Sequence, residues 1–148
     1  MSTPRRDYLV LWLRLYFAAH LLYSSLRYFT LFEPQPQVPG LGGQFIDVLT
    51  AMGIFPFVKA LEGAVGIALL FNRFVPAVLL IELPVSVNIF WLNFFIVGRP
   101  RQLFSGLQEI VLNLIMIAAY WRSYAELLRL RSLPSPLWAR PVRGSDAS

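Results

Sequence analysis

Six charged side chains, Arg14, Arg27, Lys59, Glu62, Glu82 and Glu109, fall within or just inside stretches otherwise apolar enough to cross a bilayer. Each costs about 2.5 to 3.5 kcal/mol alone at mid-membrane on insertion scales, so such groups are expected to face one another or a cavity. Lys59 and Glu62 stand three residues apart, which puts them on one helix face. That spacing reads as an ion pair fixing helix register, or as part of a ligand or proton site. Glu109, with Asn113 one turn later, is the best functional candidate, because fewer bases are available than this many buried polar groups would use. His20, the single histidine, reads as a hydrogen-bonded core residue or as a proton carrier. A carboxylate and an imidazole at one depth can hydrogen-bond quinone oxygens and exchange protons with them.

Depth follows from a rise of about 1.5 Å per residue. Counted from inner boundaries at Tyr8, Asn72, Phe74 and Trp121, His20 falls at about 18 Å, Glu62 and Glu109 at about 20 Å and Lys59 at about 24 Å. His20, Lys59, Glu62 and Glu109 share a level in the outer half and, with Asn113 on the same helix face as Glu109, form the expected site. Glu82 at about 12 Å and Arg14 at about 9 Å make a lower level where an inner ion pair is expected.

Other chemistry is excluded by composition. The chain has no cysteine, which removes thiol relays, iron–sulfur clusters and thiolate zinc sites. One histidine removes a haem held by two histidines of this chain and any HExxH metal motif. No metal and no catalytic residue are expected, and quinone is the one cofactor the intramembrane acids suggest. The isoelectric point near 10.1 comes from basic residues placed mostly between and after apolar stretches, without a basic stripe interleaved with aromatics. They therefore read as topological signals, and nucleic acid is excluded as a partner.

The elements that must carry these groups are helices in a membrane. Of 148 residues, 57% are hydrophobic and 14% charged, against about 25% charged in a soluble domain. Four apolar stretches predict an all-α membrane protein with a four-helix transmembrane bundle, its spans near residues 8–29, 56–71, 74–97 and 103–121. Pro84 interrupts the third and predicts a kink held by neighbouring helices. The Pro- and Gly-rich run from Glu33 to Gly53 forbids one continuous helix and predicts a long loop. Within it, Phe45, Val48, Leu49 and Met52 recur with helical spacing, predicting a short interfacial segment near 44–52. Residues 126–131 read as an interfacial extension and 132–148 as a disordered tail.

Helical phase sorts the polar residues into stripes. Tyr16, His20, Ser24 and Arg27 share a face of the first span; Glu82, Ser86 and Asn93 share one in the third. Ser105, Gly106, Glu109, Asn113, Met116 and Tyr120 share one in the fourth, whereas Asn88 points elsewhere unless the kink rotates it. In the second span Gly63 and Gly66 accompany Lys59 and Glu62, and Ala60, Ala64 and Ala68 form a ridge of small residues beside them. Both sets are expected to pack closely against neighbouring helices, as is Pro84. With both termini on one side, that side carries Arg5, Arg6, Arg73, Arg122, Arg129, Arg131, Arg140 and Arg143, and the other only Arg99 and Arg101. The positive-inside rule then predicts cytoplasmic termini.

The segment FVKALEGAVGIALLFNRFVPAVLLIELPVSVNIF, Phe57 to Phe90, resembles the second and third helices of DoxX-like membrane proteins. The resemblance rests on Lys59, Glu62, Gly66, Asn72, Arg73, Pro76, Pro84 and Asn88, and continues through Glu109 to Tyr120 and Trp121. Asn93 departs from it, standing where related sequences often have histidine. The resemblance implies a small four-helix bundle in the cytoplasmic membrane, linked to membrane quinone oxidoreductases or to redox homeostasis through partners. The leading expectation is therefore a non-catalytic accessory subunit, with the bilayer and another membrane protein or a second copy as partners. A quinone-binding redox subunit is the first alternative, and a small oligomeric proton-coupled transporter the second.

Overall fold

The computed structural model describes residues 4–30 and 38–125, and among them every regular element is a helix. The predicted loop over residues 33–37, the extension over 126–131 and the tail over 132–148 lie outside the described residues. In chain order the helices are α1 (Pro4–Thr30), α2 (Leu41–Ala51), α3 (Ile54–Leu70), α4 (Val75–Trp91), a π-helical segment (Leu92–Val97), α5 (Pro100–Ala119) and a final turn α6 (Trp121–Tyr124). Three stretches are long and apolar enough to cross a membrane: Asp7–Thr30, Val75–Val97 and Pro100–Ala119. The fourth is α2 with α3, which qualify only together and meet at 84°. Among the described residues the chain is thus all-helical, with three helices long and apolar enough to cross a membrane, or four counting the bent pair.

The bend has a local cause. Gly53 sits between α2 and α3 at φ 75°, a left-handed conformation that costs a residue with a side chain and costs glycine little. The α3–α4 connection is tighter still: Asn72 and Phe74 both adopt positive φ, at 56° and 52°. Asparagine tolerates that region, whereas for a bulky phenylalanine it is an outlier held by its surroundings.

Two expectations about local structure are corrected here. Gly42 and Gly43 were expected in a loop, yet α2 begins before them. A Cβ on Gly42 would stand 2.9 Å from Val97, and one on Gly43 would overlap the Val38 carbonyl, so these glycines let α2 lie close against its neighbours. The helix also continues through Pro84, and a π-helical segment follows it at Leu92–Val97. There the Gly98 amide donates to the Asn93 carbonyl at 3.0 Å, an i to i+5 bond that widens the helix. Pro84 itself is exposed and borders a cavity instead of packing between helices.

Close contacts fix how the helices run. Gly63 faces Ser25, and Gly66 faces Leu22 and the Ala18 carbonyl, so α3 descends as α1 rises. Gly106 faces Asn93 and Phe90, Asn113 bonds Ser86, and the Tyr124 hydroxyl donates to the Pro76 carbonyl, so α5 descends along α4. α3 also packs on α4, and α5 on α1; α2 packs on α3 and the π-helical segment. Residues of α1, α3, α4 and α5, including Phe17, Leu21, Leu69, Leu79 and Met116, bury one apolar core. Tyr124 is buried over the start of α4.

Candidate functional site

Where the apolar core ends, the same helices diverge around a cavity of about 470 Å³. Its walls come from α1, α2, α3, α4, the π-helical segment and α5. Apolar side chains such as Phe45, Leu49, Phe55, Val58 and Ile89 line much of it, while His20, Lys59, Glu62 and Glu109 bring the polar cluster to its surface.

Lys59 is buried and fully engaged. Its ammonium donates to both Glu62 oxygens at 2.8 Å and to Ser24 Oγ at 2.9 Å, which uses its three N–H donors. The Phe55 ring lies 5.4 Å away and packs edge-on against Tyr28, giving the cation an aromatic neighbour. Glu62, 1% exposed, is held from one side by this lysine.

Glu109 is paired differently. His20 Nε2 lies 3.7 Å from Glu109 Oε2, while Glu109 Oε1 is buried without a hydrogen-bond partner. Gln108, which the polar-stripe reading passed over, donates to the Tyr16 hydroxyl at 3.0 Å and stands 3.4 Å from His20 Nδ1. An amide donating to Nδ1 leaves the neutral ring's hydrogen on Nε2, facing Glu109. The signal for Gln108 was its position beside Glu109, on the flank of α5 that turns to α1.

The remaining predicted residues divide. Asn113 was grouped with the outer cluster, but its amide donates to Ser86 Oγ of α4 at 3.2 Å, and it does not line the cavity. The expected Arg14–Glu82 ion pair is absent: both Glu82 oxygens and Arg14 Nε are buried without hydrogen-bond partners. Depth counting set the two at a common level but carried no information on direction around the helix axes. Asn88 and Asn93 both line the cavity, so Asn88 does turn towards the site. Gly63 and Gly66 make the α1 contact, whereas Ala60 and Ala64 are exposed and Ala68 is half-buried. The alanine ridge therefore takes no large part in packing within this chain. Among the described residues no group of three or more His, Asp or Glu side chains is arranged to hold a metal ion.

Comparison with family models, with curated proteins and with solved structures returns no match.

Proposed function

We propose that this chain is the ligand-binding subunit of a membrane redox system, taking a quinone-class molecule into the cavity beside His20 and Glu109. The observation that carries the reading is Glu109 Oε1, a buried acceptor without a protein donor at the wall of a largely apolar cavity. A hydroxyl of a reduced quinone supplies the missing donor, and the neutral His20 ring can donate from Nε2 to a quinone oxygen. The volume, about 470 Å³, is of ligand-site size. Electrons are assigned to a partner, since the chain has no cysteine and one histidine.

The same proposal places the protein in the cytoplasmic membrane as a four-span bundle with both termini inside. Antiparallel packing of α1 with α3 and of α4 with α5 supports it, as does the excess of arginine on that side. The resemblance to DoxX-like proteins implies the same setting.

A second reading, an accessory subunit whose polar cluster is purely structural, is favoured by one observation. Lys59 has no donor to spare, so the Lys59–Glu62–Ser24 group is complete without a ligand. Native mass spectrometry of protein gently extracted from its membrane separates the two. Quinone at one per chain, with retention reduced about tenfold in Glu109→Gln as expected for losing a hydrogen bond to a charged group, supports the first. A reproducible partner chain with no quinone overturns it in favour of the second.

A further inference from the structure

Beyond the cavity, the α4–α5 interface carries a polar ladder. Because these helices are antiparallel, Glu109 and Glu82 lie on opposite sides of the Asn113–Ser86 hydrogen bond, each one helical turn from it. Glu109 opens onto the cavity; Glu82 does not line it and is 0% exposed. Their α-carbons are separated by roughly 12 Å along the bundle axis, eight residues of rise.

Every atom left over on this ladder is an acceptor. Both Glu82 oxygens, Glu109 Oε1 and Asn113 Oδ1 are buried without partners. The charged groups acting on Glu82 from the packed helices are Glu109 of α5 and Glu62 and Lys59 of α3, and Lys59 is committed to Glu62. An ionised carboxylate buried without a donor or cation is costly, which favours a hydrogen on the Glu82 carboxyl at rest and leaves the ionised form a transient one.

We propose that Glu82 is a proton-holding site at the centre of the bundle, loaded and emptied through Glu109 from the cavity. In the discharging step the Glu82 O–H bond breaks and an O–H bond forms on the Glu109 carboxylate. Glu82 becomes the carboxylate and Glu109 the acid, with no change in total charge. The Asn113–Ser86 hydrogen bond lies between the two carboxyl groups. On the far side the route is closed by Leu79, Met116 and Val75 of the apolar core, so Glu82 is a store and not a link in a transmembrane path. The cavity reading supplies only the destination of the proton; the store itself does not depend on it.

Infrared spectroscopy of the full chain in lipid nanodiscs at neutral pH tests this. A carboxylic C=O band is expected that Glu82→Gln abolishes and Glu62→Gln leaves in place. In Glu109→Gln the band is expected to persist but to shift in heavy water at least tenfold more slowly. Should Glu82→Gln not fold, ¹³C-glutamate labelling of the unaltered chain is expected to move the same band. A band untouched by Glu82→Gln or by the label, or exchange unchanged in Glu109→Gln, overturns the proposal. Failure to retain quinone overturns the cavity reading alone and leaves these expectations standing.

Discussion

The two ends of this molecule are built from the same four long helices and resolve the same problem in opposite ways. At one end Phe17, Leu21, Leu69, Leu79 and Met116 interlock, all essentially unexposed. At the other, Lys59, Glu62, His20 and Glu109 hold the helices around an open cavity, and the short helix α2 contributes to its wall. In a bilayer, apolar side chains gain little by leaving lipid, so the closed end is held by close van der Waals fit. The open end is held by paired charges, whose stability depends on every partner being present. A dense end can tolerate an open one because Gly63 and Gly66 bring α1 and α3 into contact at their junction.

The comparison breaks most sharply at Lys59. Lys59→Met leaves Glu62 buried without its cation and is expected to cost about 3 to 5 kcal/mol, read as a lower unfolding midpoint in mixed detergent. Lys59→Met with Glu62→Gln removes both charges and is expected to recover most of that loss. If the single variant were as stable as the parent, the open end would not rest on this pair. At the closed end Leu79→Ala is expected to cost about 2 to 5 kcal/mol through the void it leaves, with quinone retention unchanged in molecules still folded. Loss of ligand there would mean that the two ends are one mechanical unit.

At the junction the contrast is between two kinds of small residue. Gly66→Ala places a methyl 2.8 Å from Leu22 Cγ and 3.1 Å from the Ala18 carbonyl, so the Leu22 side chain must move and the α1 backbone is pressed. The expected cost is about 1 to 3 kcal/mol. Ala64→Val, on an exposed face of the same helix, is expected to change stability by less than about 0.5 kcal/mol. Equal effects in both variants would show that the alanine face is covered by something outside this chain.

What was legible in the sequence depended on how local each feature is. Lys59 with Glu62 needs only one helical turn to meet, and spacing alone made the pair a candidate. The long helices were legible from runs of apolar residues, and α2 from four residues at helical spacing. Contacts between helices were not, because they depend on how each helix is rotated about its axis. Depth counting put Arg14 near Glu82, yet it could not reveal that neither finds the other. Helical phase put Asn113 with Glu109, which shares its face of α5, but Asn113 bonds Ser86 of α4. Gly42 and Gly43 read as helix breakers because the contact of Gly42 with Val97 joins segments far apart in the chain.

Gln108 gives the smallest expected change in stability and the finest test of how the open end is tuned. It is half-buried and its bond to Tyr16 is exposed, so Gln108→Leu is expected to alter stability by less than about 0.5 kcal/mol. Its contribution to binding is different in kind. By donating to His20 Nδ1 it holds the ring hydrogen on Nε2, towards Glu109. Without it either ring nitrogen can carry the hydrogen, and the site loses its preference for one orientation of a bound carbonyl. Quinone retention is expected to weaken a few-fold, with ¹⁵N spectra of the single histidine showing the change of tautomer directly. An unchanged tautomer with unchanged retention would leave His20 oriented by Glu109 alone, and the open end would then be set by its charges without help from the neutral amide.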